Sequence, residues 1–342
     1  MLKKITTLIV SLSFPCLLLA QQPLSGADSA RMIIDSVLNY ARHKSIYRGK
    51  VNWTMLTDSV KKHSANARSV KEVMPSVGLV YQLLGDFHGF AIHDGKYYKW
   101  WTTKAKLDTV VYRNLRAKMK QKPSVESRML QNSYGYLLIP GNNPTHPGES
   151  DLLAQQIQDS LTKLHPEKLK GLIIDLRANP GGNMYPMILG VGNLLGNGQF
   201  GSFIDPVTKQ QEAWGIKGKA IYGGLDTVCH LKTLGKASTK LKVALLIGPM
   251  TASSGEATAI TFKGRKNAIL IGEKTAGYTT ANDSFRIFDI NVIMATSTEA
   301  DRNGTPYYEN VLPDIEAIAG DDFNHPANDA KINAALKWLK GK

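Results

Sequence analysis

The sequence predicts an α/β protein preceded by a mainly helical N-terminal region. Three short apolar runs carry this prediction: Gly171-Leu-Ile-Ile-Asp-Leu176, Lys242-Val-Ala-Leu-Leu-Ile-Gly248 and Ala268-Ile-Leu-Ile-Gly272. Continuous hydrophobicity over so few residues marks strands buried on both faces. Stretches of helical periodicity separate them, and strands alternating with helices indicate an α/β domain.

The elements follow in order. Residues 27–46 place Met32, Ile33, Val37, Leu38 and Ala41 on one helical face. Ser69-Val-Lys-Glu72 is a capping box, and Val70, Val73, Met74, Val77, Val80 and Leu84 continue at helical spacing. Pro75 predicts a tight or kinked start to this helix. Residues 86–112 alternate and are aromatic, which is more strand-like. The polar stretch Lys120–Ser127 supplies a boundary, so that residues 21–125 form the N-terminal region and 126–342 the α/β domain. Gly135–Pro140 reads as a further strand and Leu152–Leu164 as a helix. Met184–Leu195 and Thr251–Lys263 also read as helical. Asn328 or Asp329 caps a last helix with Ile332, Leu336 and Leu339 inward.

Residues 1–20 have the layout of a secretory signal. Lys3 and Lys4 precede the apolar stretch Ile5–Ala20, and polar sequence starts at Gln21. Phe14 and Pro15 stand before Cys16 where a lipobox has small residues, so plain export is expected. The chain carries a net charge of +14 and two cysteines. Removing residues 1–20 leaves one thiol, Cys229, which excludes an internal disulfide in the exported chain. An exported chain without disulfides suggests a bacterial envelope protein, periplasmic or extracellular. The basic runs around Lys104–Lys122 and Lys232–Lys242 read as a solvated face, and with no nucleic-acid motif beside them no nucleic-acid partner is expected. No apolar run outside the signal is long enough to span a bilayer.

Three segments could carry chemistry. In Gly248-Pro-Met-Thr-Ala-Ser-Ser-Gly-Glu256 a buried strand gives way to a helix. A serine at that N-terminus would stand beside free N–H groups that can hold an oxyanion. Ser253-Ser-Gly-Glu256 also fits a capping box, and on the segment alone a plain cap is the simpler reading. In Asp175-Leu-Arg-Ala-Asn-Pro-Gly-Gly182 a glycine pair follows a strand, which either lets backbone approach a ligand or merely serves a turn. Asp175 and Arg177 are expected to pair with each other or with neighbours. His88 lies where the capped helix ends. No HExxH or paired-histidine spacing occurs, so neither a metal nor a cofactor is expected.

Together these segments resemble the S41 serine peptidases, the family of the C-terminal processing proteases and the tricorn core. Four blocks match in order: Val51–Leu56 with Leu84–His88, Gly171–Gly182, Thr251–Glu256 with Gly272–Gly277, and Glu309–Asp314. The resemblance implies a ClpP/crotonase-like catalytic fold and a serine peptidase acting on polypeptides outside the cytoplasm. It implies Ser253 as nucleophile, with oxyanion donors from Ser254 and from Gly181 or Gly182. Tyr278 stands where the processing-protease branch has its lysine base. His88 and Glu309 match the histidine and glutamate of the tricorn-like branch, so the expected constellation is Ser253–His88–Glu309, with Lys274 a poor substitute base. The roughly 50 residues between His88 and the Gly135 strand leave no room for a PDZ domain. A catalytically silent peptide- or apolar-ligand-binding protein and an acyl-ester hydrolase remain as alternatives on the same fold.

Overall fold

A computed structural model describes residues 24–100 and 107–341; the signal segment and Cys16 lie outside the described residues. The chain opens with helices α1 (Gly26–Lys44), α2 (Trp53–Ser64) and α3 (Val70–Leu84). Ser69 caps α3 by accepting from the Glu72 N–H, and Gly85 ends it in the left-handed region at φ +77°. The helix runs on through Pro75. A short hairpin, β1 (Phe90–His93) and β2 (Lys96–Tyr98), is followed by α4 (Arg113–Met119), β3 (Glu126–Leu130) and β4 (Tyr134–Leu138). Next come α5 (Glu149–Thr162), β5 (Gly171–Asp175), α6 (Met184–Leu189) and α7 (Gly192–Leu195), so the expected single helix at 184–195 is broken at Gly190–Val191.

Four strands then form a meander: β6 (Gly198–Ile204), β7 (Gln211–Lys217), β8 (Ala220–Gly223) and β9 (Asp226–His230). The chain returns through β10 (Val243–Ile247), α8 (Ser254–Phe262) and β11 (Ala268–Gly272) to the hairpin β12 (Thr280–Ile287) and β13 (Ile290–Asp301). It ends with β14 (Ile315–Glu316) and α9 (Ala330–Leu339), which Asp329 caps.

One sheet has the order β14-β11-β10-β5-β4-β3, parallel except for the β3 edge. Its apolar runs divide by the two-residue period of a strand. Leu137, Leu172, Ile174, Val243, Leu245 and Leu270 face α5, α6 and α8, while Tyr136, Leu138, Ile173, Ala244, Leu246 and Ile271 face α9. Two cores on one sheet require residues that are apolar at every position, which is why these segments do not alternate.

The second sheet is antiparallel, in the order β2-β1-β13-β6-β7-β8-β9, with β12 also on β13. Strand β13 joins the two parts of the chain. Its first half puts Ile290, Val292 and Met294 into the core of α1–α3, and its second half pairs with β6. The helical region is therefore tied to the rest by the β1–β13 pairing and by the Arg48–Asp205 ion pair at 2.5 Å. The β1–β13 and β12–β13 pairings bring the loop after α3 against Tyr278 and Thr280, which follow β11 in the chain.

Candidate active site

Two loops leave adjacent parallel strands and lock together. After β10, Thr251 donates its hydroxyl to the Leu176 carbonyl (2.8 Å), and the Ala252 N–H donates to the Asn179 carbonyl (3.0 Å). After β5, Gly181 and Gly182 have φ of +107° and +123°, values that L-residues rarely adopt. A Cβ at Gly181 would stand 2.9 Å from the Ser253 Cβ, and one at Gly182 would fall on the Asn142 carbonyl oxygen. The two glycines thus allow this loop to touch the start of α8. Ser254 clamps it by donating its hydroxyl to the Gly182 carbonyl at 2.7 Å.

Ser253 sits at φ +53°, ψ −120°, a strained conformation for a residue with a side chain. Strain at one non-glycine residue between a buried strand and a helix is costly, so it must be enforced by its surroundings. Glu256 does this. Its buried carboxylate accepts from the N–H groups of Ser253 (2.8 Å), Gly277 (2.9 Å) and Tyr278 (2.7 Å) and from the Thr275 hydroxyl. Burial pushes the Glu256 pKa up against the pull of these four donors. The Glu256 N–H bonds to the Ser253 carbonyl at 2.7 Å, and the Glu256 carboxylate on the Ser253 N–H belongs to the capping box that the sequence also allowed.

The N–H groups around Ser253 are not equivalent. Gly181 donates its N–H to Asn179 Oδ1 at 2.9 Å. The N–H groups of Gly182 and Ser254 have no acceptor among the described residues. Of the expected pair of glycines, Gly182 is the one with an uncommitted donor. Asn179, which the sequence reading passed over, makes this distinction, and its Nδ2 also holds the Ile139 and Pro140 carbonyls.

His88 reaches the same region from the loop after α3. Asp86 shapes that loop by accepting from the N–H groups of His88 (3.0 Å), Gly89 (2.7 Å) and Ala295 (3.1 Å). The imidazole meets the Tyr278 ring edge-on at 5.0 Å between centroids. Tyr278 in turn shares Glu256 Oε2 with the Ser253 N–H. Burial, and then the Glu256 carboxylate, raise the Tyr278 pKa, so the phenol stays neutral at pH 7. His88 Nδ1 lies 2.6 Å from Thr280 Oγ1. Thr280 is thus a contact of the imidazole that the expected Ser253–His88–Glu309 constellation did not include.

Glu309 is exposed, and its carbonyl rather than its carboxylate ties it to the loop, accepting from the Thr279 hydroxyl at 2.8 Å. Lys274 is also exposed. The structure thus brings Ser253, Ser254, Gly181 and Gly182 together and sets His88 against the neighbouring Tyr278, with Glu309 at the rim.

Behind the glycine loop lies a buried ionic cluster. Arg177 contacts Asp175 (2.6 Å), Asp321 (2.6 Å) and Asp329 (2.8 Å), and Lys331 contacts Asp321 (2.9 Å) and Glu273 (2.8 Å). The expected Asp175–Arg177 pair is therefore part of a larger network. It anchors the C-terminal helix beneath the loop.

Residues 133–317, more than half of the chain, match the sequence profile of peptidase family S41. The chain is 27% identical over 300 residues to the nisin-resistance protein of Lactococcus lactis subsp. lactis, covering 87% of this chain and 83% of that one. A lipoprotein from Streptococcus agalactiae superposes with a TM-score of 0.68 at 23% identity, covering 95% of this chain and 99% of that one. The photosystem II D1 C-terminal processing protease superposes with a TM-score of 0.54 at 13% identity, covering 85% and 93%. Both structures share the fold.

Proposed function

This chain belongs to peptidase family S41 and is a serine-type peptidase, and on that premise we infer that Ser253 is its nucleophile and His88 its base. The observation that carries the reading is the strained Ser253 at the start of α8, held against the Gly181–Gly182 turn. A hydroxyl is a weak nucleophile and needs a base. Neutral imidazole accepts a proton near pH 7, whereas an exposed lysine does not. Thr280 Oγ1 holds Nδ1, and we assign the other ring nitrogen, Nε2, to the serine proton.

The reaction then runs in two halves. Ser253 Oγ attacks the peptide carbonyl as its proton passes to His88. The oxyanion is held by the N–H groups of Gly182 and Ser254, on which α8 also focuses its positive end. The imidazolium returns the proton to the departing amine, leaving an acyl ester on Ser253. Water, deprotonated by His88, cleaves that ester and restores the serine. Glu309, at the rim, is assigned to stabilising the imidazolium through water.

We assign the working compartment to the cell envelope or beyond, on the signal-like residues 1–20 and the export implied by the lipoprotein neighbour. The name of the Lactococcus lactis relative makes nisin the first substrate to try. The test is labelling of the purified chain with a fluorophosphonate, followed by peptide digestion. Label on Ser253, lost in His88→Ala and kept in Lys274→Ala, is expected. Full labelling of His88→Ala together with its loss in Lys274→Ala would replace this assignment with a serine–lysine pair.

A further inference from the structure

The glycine loop that flanks Ser253 also walls a cavity of about 290 Å³. Met119, Pro123, Leu138, Pro140, Ala178 and Pro180 form its apolar sides. A second cavity of about 450 Å³ shares Pro123, Ser124 and Pro140–Asn143 with the first and extends to Leu152 and Leu153 of α5. The two are one groove, beginning at Gly181–Gly182 and running along residues 140–144.

The backbone bordering this groove is half-paired. Asn142 uses both its N–H (to the Gly181 carbonyl, 3.1 Å) and its carbonyl (from the Asn183 N–H, 3.3 Å) on the side of the glycine loop. In extended backbone, successive residues direct their polar groups to opposite edges. Gly141 and Asn143 therefore turn theirs away from the glycine loop, and their N–H groups have no acceptor among the described residues. A free edge beside an apolar trough is the arrangement that takes an extended peptide as an added strand.

Charge qualifies the choice. Lys118 and Lys122 also line the first cavity. Lys118 is engaged by Gln121 and Glu126, whereas Lys122 is exposed and has no partner among the described residues. Part of the basic run that reads in the sequence as a solvated face thus borders the groove.

We propose that this groove is the substrate channel: it takes an extended peptide along Gly141–Asn143, seats an apolar side chain next to the scissile bond in the cavity against Pro140 and Pro180, and disfavours basic neighbours through Lys122. The inference rests on the peptidase reading for its position relative to the cleaved bond. The seating itself is measurable without hydrolysis.

The probes are fluorescein-labelled decapeptides of Gly and Ser with a central Leu or Ala, and a Leu series with Glu or Lys beside it. Binding is measured by anisotropy on the full chain carrying Ser253→Ala, and cleavage of the same peptides is mapped by mass spectrometry with Ser253 intact. Leu should exceed Ala by about tenfold or more, as for filling an apolar pocket. Met119→Trp, which fills the cavity, and Ser124→Trp, in the exposed strip shared by both cavities, should each bring that ratio to near one. Lys122→Glu should reverse the order of the Glu and Lys peptides. Ratios unchanged within twofold in folded variants, judged by their melting curves, would overturn the groove. Cleavage with unchanged ratios would leave the peptidase and refute the groove; the expected ratios without cleavage would leave the groove and refute the hydrolytic reading.

Discussion

Replacing the two loop glycines separately should divide catalysis from stability. Gly181→Ala puts a methyl 2.9 Å from the Ser253 Cβ, 3.0 Å from the Ala252 carbonyl oxygen and 3.3 Å from the Ser254 nitrogen. Carbon atoms in contact prefer about 3.5–4.0 Å, so Ser253 and its neighbours must give way. The positive φ costs a further ~1–3 kcal/mol in a residue with a Cβ. These neighbours are the proposed attacking residue and one of the two proposed oxyanion donors, where loss of a single donor costs about 10²–10³ in rate. Gly182→Ala is a different perturbation. Its methyl falls on the Asn142 carbonyl, so the Asn142–Gly182 bridge must open. That breaks backbone hydrogen bonds worth about 1 kcal/mol each, on top of strain at φ +123°. We expect Gly181→Ala to keep most of its stability, with Tm lower by about 2–6 °C, while fluorophosphonate labelling of Ser253 slows at least about a hundredfold. Gly182→Ala should lose clearly more Tm than Gly181→Ala. Scanning fluorimetry and labelling rates read both. A Gly181→Ala protein that labels within threefold of the parent, or that melts below Gly182→Ala, would refute the reasoning.

Three further outcomes follow from the same geometry. Thr280→Val removes the hydroxyl on His88 Nδ1 and should lower kcat by about ten- to a hundredfold, short of the effect of a wrong tautomer, with Thr280→Ser restoring it; a kcat–pH profile unchanged in the valine variant would remove Thr280 from its positioning role. Arg177→Met leaves Asp175, Asp321 and Asp329 buried without their shared cation and should cost about 3–5 kcal/mol in urea unfolding; a loss below about 1 kcal/mol would mean that Lys331 suffices. Glu299 is buried with Oε2 unpartnered among the described residues, and burial, then the Glu256 carboxylate, hold its pKa well above the usual range. Its neutral form is the one the fold favours, so its contribution is full below the unfolded pKa of about 4.3 and is lost as pH rises toward the folded value. Glu299→Gln should therefore melt higher than the parent at pH 8 but not at pH 4, and parallel Tm–pH curves would contradict this.

Residues whose roles are set by near neighbours were legible in the sequence. The β5, β10 and β11 runs, the Ser69 and Asp329 caps and the Asp175–Arg177 pair depend on residues within a few positions. So does the strand–turn–helix junction at Ser253, although its strained φ does not follow from composition. The resemblance to S41 peptidases drew the distant blocks together, and the family match bears out that recognition. Beyond the strand-like reading of residues 86–112, where β1 and β2 lie, the chain pattern did not reveal the second sheet. Strands β6–β9 and β12 are short, half-exposed or irregular, and they become strands through partners supplied by pairing rather than by period.

The partner of the imidazole belongs to this second class. Thr280 is 192 positions from His88 and is ordinary in composition; only the β1–β13–β12 pairing carries the two together. The preference for Gly182 over Gly181 as the free donor is equally tertiary, because it turns on where the Asn179 side chain points. The sequence by itself determined the parallel core and the strand–turn–helix junction at Ser253, since burial on two faces and a helix start are local demands on composition. Which of those residues meet, and which hydrogen bonds remain uncommitted, was decided only by long-range strand pairing, where the partner of each residue is chosen by the whole sheet and not by its neighbours in the chain.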